Sequence, residues 1–435
     1  MRHSRVTGPL PVMALAALVA IFTVLADRAF AYTYKVLYSF CAQENCADGD
    51  GPMGSLLLDS TGALYGTAYG GGGPFNQGTV FALVPNGDGY DYRVLHQFCL
   101  VDGCPDGAHP RSTLIADVDG NLYGTAGLGG AQGRGSAFEL MPNAKRTKWK
   151  FKTLYDFCSV DACADGGGPS GLTYPGAGSG TPYDGTSPLY GSTGSGGTAN
   201  LGVTFQLNFV QGKTQRRERV LYSFCSQANC ADGGNPFPPV VDAMGNLFGT
   251  AGYGNGASDG VVFELSAKKR KFRETVLHAF CTLAMCTDGK QPMAPVTLDA
   301  SGNLYGTTNF GGDGNSGEVF KVVPNGTDSQ ESVLYSFCLQ PGCLDGDQPQ
   351  SGLLLGAEGD LYGTTAFGGA QFDGGTVFRL HANTLDVLYN FCSAQNCADG
   401  RQPSGALIGD ASGDLFGMTQ SGGANGGGTV FALTP

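Results

Sequence analysis

The residues best spaced for chemistry in this 435-residue sequence are fourteen cysteines, which fall into seven Cys-x4-Cys pairs. The pairs are Cys41 and Cys46, Cys99 and Cys104, Cys158 and Cys163, Cys225 and Cys230, Cys281 and Cys286, Cys338 and Cys343, and Cys392 and Cys397. Paired thiols can bind metal, exchange electrons or cross-link the chain. A structural zinc site takes four ligands, whereas each pair offers two, with no histidine recurring beside them. Redox catalysis favours Cys-x2-Cys at a single active pair. Cross-linking remains, and the spacing suits a bridge across a tight turn. The compartment agrees with it. Arg2 and Arg5, the apolar run Val12 to Ala26 and Ala29-Phe30-Ala31 read as a cleavable export signal over residues 1–31. An exported chain with an even cysteine count is expected to form seven local disulfides.

The other candidates are weaker. His96 and His278 stand where other copies of the repeat have tyrosine, and His109 and His381 fall in turns. A recurrent aspartate in "DG-x2-P" (Asp48, Asp106, Asp165, Asp232, Asp288, Asp345, Asp399) lacks the oxygen-rich loop that calcium needs. It reads as a turn residue bonded to its own backbone, as do Asp59, Asp117, Asp242, Asp299 and Asp410. Gly-rich runs such as "YGGGGPFNQG" lack the Lys-Ser/Thr of a phosphate loop. No metal or cofactor is expected.

One feature departs from the repeat. Lys145, Arg146, Lys148, Lys150 and Lys152, then Lys213, Arg216, Arg217 and Arg219, then Lys268, Lys269, Arg270, Lys271 and Arg273 occupy the equivalent turn of three successive copies. Beyond residue 31 the chain holds 22 basic against 36 acidic residues, so these fourteen form a cationic arc on an acidic body. Such an arc suits an anionic partner: a surface polysaccharide, a lipid headgroup or an acidic protein. The overall balance argues against nucleic acid. No transmembrane segment is expected after signal cleavage, and the protein is read as a monomer.

The elements that position these residues repeat with them, every 54 to 67 residues. Each copy has four short β-branched or aromatic runs bounded by Gly, Asn, Asp or Pro, as in "PVTLDASG", "NLYGTTNFGG", "GEVFKVVPNG" and "ESVLYSFC". Four antiparallel strands repeated seven times predict an all-β, seven-bladed propeller over residues 32–435, in preference to a β-helix or an open stack of hairpins. The phase supports closure. "YKVLYSFC" is a fourth-strand phrase with no blade before it, and "GTVFALTP" is a third-strand phrase with nothing after it. The N-terminal strand is therefore expected to complete the last blade, leaving no exposed edge. The third copy carries an insertion, Gly176 to Ser187, expected to project from the surface.

The phrases "NLYGTTNFGG…GEVF", "DLYGTTAFGG…GTVF" and "VLYSF" with a following "DG-x2-P" resemble the bacterial GloVer tandem repeat, found in exported choice-of-anchor proteins. The resemblance implies an exported repeat protein and transfers no catalytic residues. The Cys-x4-Cys pairs are a departure from it, as is the lack of a recognisable anchor. The functional expectation is a non-catalytic binding or structural module, secreted or periplasmic. The competing expectation is an enzyme of the propeller lyase or quinone-dependent dehydrogenase type, with its site in the central pore.

Overall fold

The computed structural model describes residues 32–435 apart from Thr214, 255–258, 269–270 and 371–372. The export-signal reading for residues 1–31 lies outside the described residues. From residue 32 onward the chain forms seven antiparallel sheets of four strands, arranged as the blades of a propeller. In blade 1 the strands are Asp50–Leu58, Leu64–Gly70, Thr79–Asn86 and Gly89–Gln97, from the axis outward. The innermost strand is interrupted in the middle of the ring. In blade 2 it is split into Ala108–Pro110 and Ile115–Ala116, and in blade 4 into Gly234–Pro236 and Val240–Val241. A proline recurs on the inner strand whether it is split (Pro110, Pro236) or continuous (Pro52), and there it donates no hydrogen bond to the ladder.

The repeat phrases have a packing meaning. The glycine of "LYG" faces the phenylalanine of "VF" on the next strand, and a Cβ there would lie 2.5–2.7 Å from the ring tip in all seven blades. Glycine is therefore a notch into which Phe81, Phe138, Phe205, Phe263, Phe320, Phe378 and Phe431 fit, all fully buried. The phenylalanine ending each fourth strand packs on the notch phenylalanine of the following blade. Centroids are 5.1 Å apart for Phe40–Phe81, 5.4 Å for Phe98–Phe138 and 5.1 Å for Phe391–Phe431. Such pairs add about 0.5–1.5 kcal/mol each beyond area burial. They run unbroken round the ring.

Closure is by the N-terminal strand. Thr33–Ser39 pairs antiparallel with Thr429–Thr434, so the two ends of the chain share blade 7. Blade 7 then meets blade 1 through Ser404 Oγ donating to Pro52 O (2.9 Å) and Ala406 N donating to Ser55 Oγ (2.9 Å).

The insertion is largely exposed, as expected, but it is pinned to the body at one point. Tyr183 is fully buried against Tyr123 and Tyr174, and its hydroxyl donates to Ser187 O (2.5 Å). That one aromatic side chain anchors the loop into the seam between blades 2 and 3.

Candidate functional site

The cysteine loops join the outer strand of one blade to the inner strand of the next. All seven Cys-x4-Cys pairs are bonded in the structure, with Cα atoms 4.0–4.1 Å apart. Both cysteines of every pair adopt positive φ, as in Cys41 (58°) and Cys46 (50°), a region that costs an L-residue about 1 kcal/mol or more. The recurrent aspartate offsets this cost. Asp48 accepts the amides of Ala42 (3.0 Å) and Gln43 (3.1 Å) and the hydroxyl of Tyr38 (2.7 Å). It is thus a buried hub tying the loop to the preceding strand, and more than a turn residue bonded to its own backbone. Tyr155, Tyr222, Tyr335 and Tyr389 repeat the contact with Asp165, Asp232, Asp345 and Asp399 at 2.7–2.9 Å. His96 takes the tyrosine's place with Nε2 2.8 Å from Asp106, while His278 stays 3.9 Å from Asp288. These histidines are scaffold parts. Closing a six-residue loop removes about 2 kcal/mol of unfolded-chain entropy. Cys281→Ser with Cys286→Ser is therefore expected to lower unfolding stability by about 2 kcal/mol in urea titrations, with the ring intact by circular dichroism.

Asp59 Oδ1 accepts the amides of Thr61 (2.8 Å) and Ala63 (3.1 Å), the Asx turn expected of it. His109 and His381 do not lie in turns: His109 sits on the inner strand Ala108–Pro110 and stacks on Tyr69, and His381 ends the third strand Thr376–His381 with Nδ1 2.5 Å from Asp360.

The fourteen basic residues are only partly available. Lys145, Lys148, Lys150, Lys213, Arg217, Arg219, Lys268, Lys271 and Arg273 are exposed on the hairpins between third and fourth strands of blades 2, 3 and 4. Arg146 instead reaches across to Asp59 (2.9 Å), and Lys152 pairs with Glu139 (2.7 Å). Arg216 is buried, donating to Gly185 O (2.7 Å) and Ser187 O (3.2 Å) with Tyr123 and Tyr183 about its guanidinium, so it holds the insertion and cannot meet a partner. Lys269 and Arg270 lie outside the described residues. Trp149 and Phe151 turn inward onto Tyr65 and His96.

Sequence reasoning missed a set of half-buried and buried carboxyls. Glu218, Glu274 and Glu331 occupy a fourth-strand position that holds Tyr34, Tyr92 and Phe151 in other blades. There the aromatic ring stacks on the preceding blade's hub partner, as Tyr92 does on Tyr38 (3.8 Å). The glutamates lie beside the hubs Asp165, Asp232 and Asp288. Burial, and then the neighbouring carboxylate, push them up to about 8, about 7 and about 7. Aligning the fourth-strand phrases exposes the exchange, but not what it faces.

The inner strands enclose an axial cavity of about 620 Å³ to which every blade contributes, through Ser55, Thr113, Ser170, Asn235, Thr297, Gln350 and Gln402 among others. Its walls mix hydroxyls and amides with glycine, proline, methionine and apolar side chains such as Leu172, Phe237 and Val240. Arg111 is the one charged side chain among the lining residues. The chamber lies within the size range of small-molecule sites. The lining can hydrogen-bond and bury apolar surface; it does not bring together a base and an acid for proton transfer. The walls are held rigidly. The residue before each inner-strand proline sits at positive φ (His109 54°, Asn235 54°, Gln402 56°) and donates its amide to the preceding blade: His109 N to Gln77 O (2.7 Å), Asn235 N to Leu201 O (2.7 Å), Gln402 N to Gly374 O (2.8 Å). No helix among the described residues is long and apolar enough to cross a membrane.

A family model described as the Gloeobacter/Verrucomicrobia repeat matches residues 21–187, 179–344 and 282–435. No curated protein matches the chain. Among solved structures, the chain is similar to PorZ of Porphyromonas gingivalis, described as an essential bacterial surface component of the type-IX secretion system. The TM-score is 0.51 and the identity 13%, over 89% of this chain and 47% of that one, so the chain spans about half of PorZ. It is also similar to a glucose dehydrogenase, at a TM-score of 0.40 and 11% identity, over 93% and 99% of the two chains. The likeness to PorZ, at that identity, is one of fold alone.

Proposed function

The chain belongs to the Gloeobacter/Verrucomicrobia repeat family, and on that premise we propose that it is an exported, non-catalytic binding module that docks on an anionic polysaccharide. Seven disulfides fit an extracellular or envelope setting, where thiols are oxidised. The observation that supports docking is the set of nine exposed cations on three successive hairpins of a chain that is acidic overall. Their equivalent hairpins lie at one end of the ring, the end that also carries the Asp59-type turns, as the Arg146–Asp59 contact requires. A row of lysines and arginines at that spacing matches a charged polymer better than a single small anion, and the attraction weakens as salt shortens the Debye length to about 10 Å at 0.1 M.

Lys148→Glu, Lys150→Glu, Lys268→Glu and Lys271→Glu together are expected to abolish retention on an immobilised anionic polysaccharide at ~0.1 M salt, leaving the melting temperature within a few degrees of the parent. These side chains are exposed, so the variant keeps its core. Equal retention of parent and variant, insensitive to salt, would remove this reading. Binding of the parent to acidic lipid vesicles or acidic proteins in place of the polysaccharide would redirect it to those partners.

A further inference from the structure

The other end of the ring carries the disulfide loops, the loops between second and third strands, and the mouth of the axial cavity. At the mouth between blades 7, 1 and 2 a second, shallower hollow is lined by Asp50, Tyr69, Asn76 and His109, and it shares Met53 and Gln420 with the axial chamber. The two form one path from solvent to the axis.

Three features of that path point the same way. First, Tyr69 and His109 stack face to face, centroids 4.2 Å apart and planes 19° from parallel, with His109 Nδ1 3.0 Å from Tyr69 O. Tyr69 remains 38% exposed, an aromatic platform at the entrance on an otherwise Gly-rich loop end. Second, Arg111 follows two residues later and is exposed. Its side chain runs beside Gly127, with Nε 3.6 Å from where a Cβ would stand. Arg111 makes no ion pair among the described residues, and no carboxylate lines the axial chamber beside it. Third, Gln402 and Gln420 border the same path, and each amide can donate to and accept from a hydroxyl. The acid at the entrance, Asp50, has a carboxylate oxygen within 4.8 Å of the Cys41 and Cys46 sulfurs, beside the disulfide loop.

A flat apolar platform, amides that match hydroxyls and one uncompensated guanidinium are complementary to a sugar ring bearing a carboxylate. We infer that the channel mouth between blades 7, 1 and 2 binds the end of an acidic oligosaccharide of the uronic acid class. The less polar face of the sugar lies on the outer face of Tyr69, which His109 backs, its hydroxyls meet Gln402 and Gln420, and its carboxylate is held by Arg111 in the bidentate geometry that guanidinium favours. Because His109 and Gln402 are fixed by interblade hydrogen bonds, little ordering accompanies binding. This site is separate from the cationic arc, which lies at the opposite end.

The test is calorimetric titration of the full chain with digalacturonate and with its neutral dimethyl ester, in which methyl groups cap the carboxylates and remove their charge. Digalacturonate is expected to bind, and the ester to bind at least ~10-fold more weakly. Arg111→Gln should abolish that difference without moving the melting temperature, and Tyr69→Ala should weaken both ligands. The four lysine reversals of the arc should leave digalacturonate binding unchanged, so failure of the arc and failure of the channel site are told apart. Absence of digalacturonate binding at about 10 mM, equal affinity for acid and ester, or an Arg111→Gln variant that binds as the parent does would each overturn the inference.

Discussion

A chain beginning at Cys41 is expected to lose cooperative unfolding and to aggregate, although it lacks only nine of the residues from 32 onward. Those nine contain the outer strand of blade 7. Without Thr33–Ser39, the strand Thr429–Thr434 becomes an unpaired edge next to blade 1, and exposed edges template association with other chains. The packing loss is as large as the hydrogen-bond loss. Phe40 is fully buried against Phe81, its amide donates to Gly428 O (3.0 Å), and Tyr34 stacks on Tyr389 at 3.9 Å while its hydroxyl donates to Asp399 O. Phe40→Ala alone should cost about 3–5 kcal/mol, the usual range for an emptied aromatic site. Two measurements check this. Urea unfolding of Phe40→Ala gives the single-site cost, and gel filtration of the truncated chain shows whether it self-associates. Adding a peptide of residues 32–40 should restore the monomeric elution position. A truncated chain that melts cooperatively at the parent's temperature would mean that the ring holds without its closing strand.

The repeat made most of this architecture readable, because one packing problem is solved seven times in nearly the same words. The glycine notch and its phenylalanine are forced to co-occur in every copy, and the frame offset between the two ends of the chain can mean little except closure. What could not be read depends on contacts between different copies. Arg216 looks like any other cation in "KTQRRERV", and only the folded insertion, with Tyr183 and the carbonyls of Gly185 and Ser187, shows it to be buried. The recurrent aspartates are legible as turn residues, yet their second role needs the tyrosine ten positions earlier on the preceding strand. Likewise Tyr69 and His109 belong to different blades and become one platform only in the ring. Composition did anticipate a rigid, Gly-rich β-protein. It carried no information about which seam would hold a ligand.

Unfolding stability is expected to fall as pH rises from 5 to 9, the opposite of the usual behaviour of carboxylates held in ion pairs. The groups responsible lie in the seams around blades 3, 4 and 5. Glu318 is fully buried and neither carboxyl oxygen has a hydrogen-bond partner, whereas blades 6 and 7 have Thr376 and Thr429 at this position, each bonded to a second threonine at 2.9 Å. Burial, and then Glu331, Asp288 and Asp313, push Glu318 up to about 9. Glu218, Glu274 and Glu331 join it at about 8, about 7 and about 7, against 4.5 for an ordinary glutamate. All four are raised, so the folded chain keeps protons that the unfolded chain has released. The contribution is fully present below about pH 4.5 and disappears as pH climbs through each folded value. His278, lowered by burial, works in the other direction but is one group and acts only below 6.5. At about 1.4 kcal/mol per pH unit for each proton the folded chain retains, the loss is steepest between pH 5 and 7, where all four carboxyls still hold theirs, and it ends near pH 9. Urea midpoints measured at pH 5, 7 and 9 read the slope directly. Glu318→Thr, which restores the residue used elsewhere in the ring, should raise the midpoint at pH 9 and flatten the slope, whereas a parent midpoint that stays constant from pH 5 to 9 would show that these carboxyls ionise in the folded chain without penalty. The same substitution separates the seam from the surface, because Asp59 and Asp299, both lowered by their Asx-turn hydrogen bonds, lose their contribution only as pH drops below the ordinary carboxylate range.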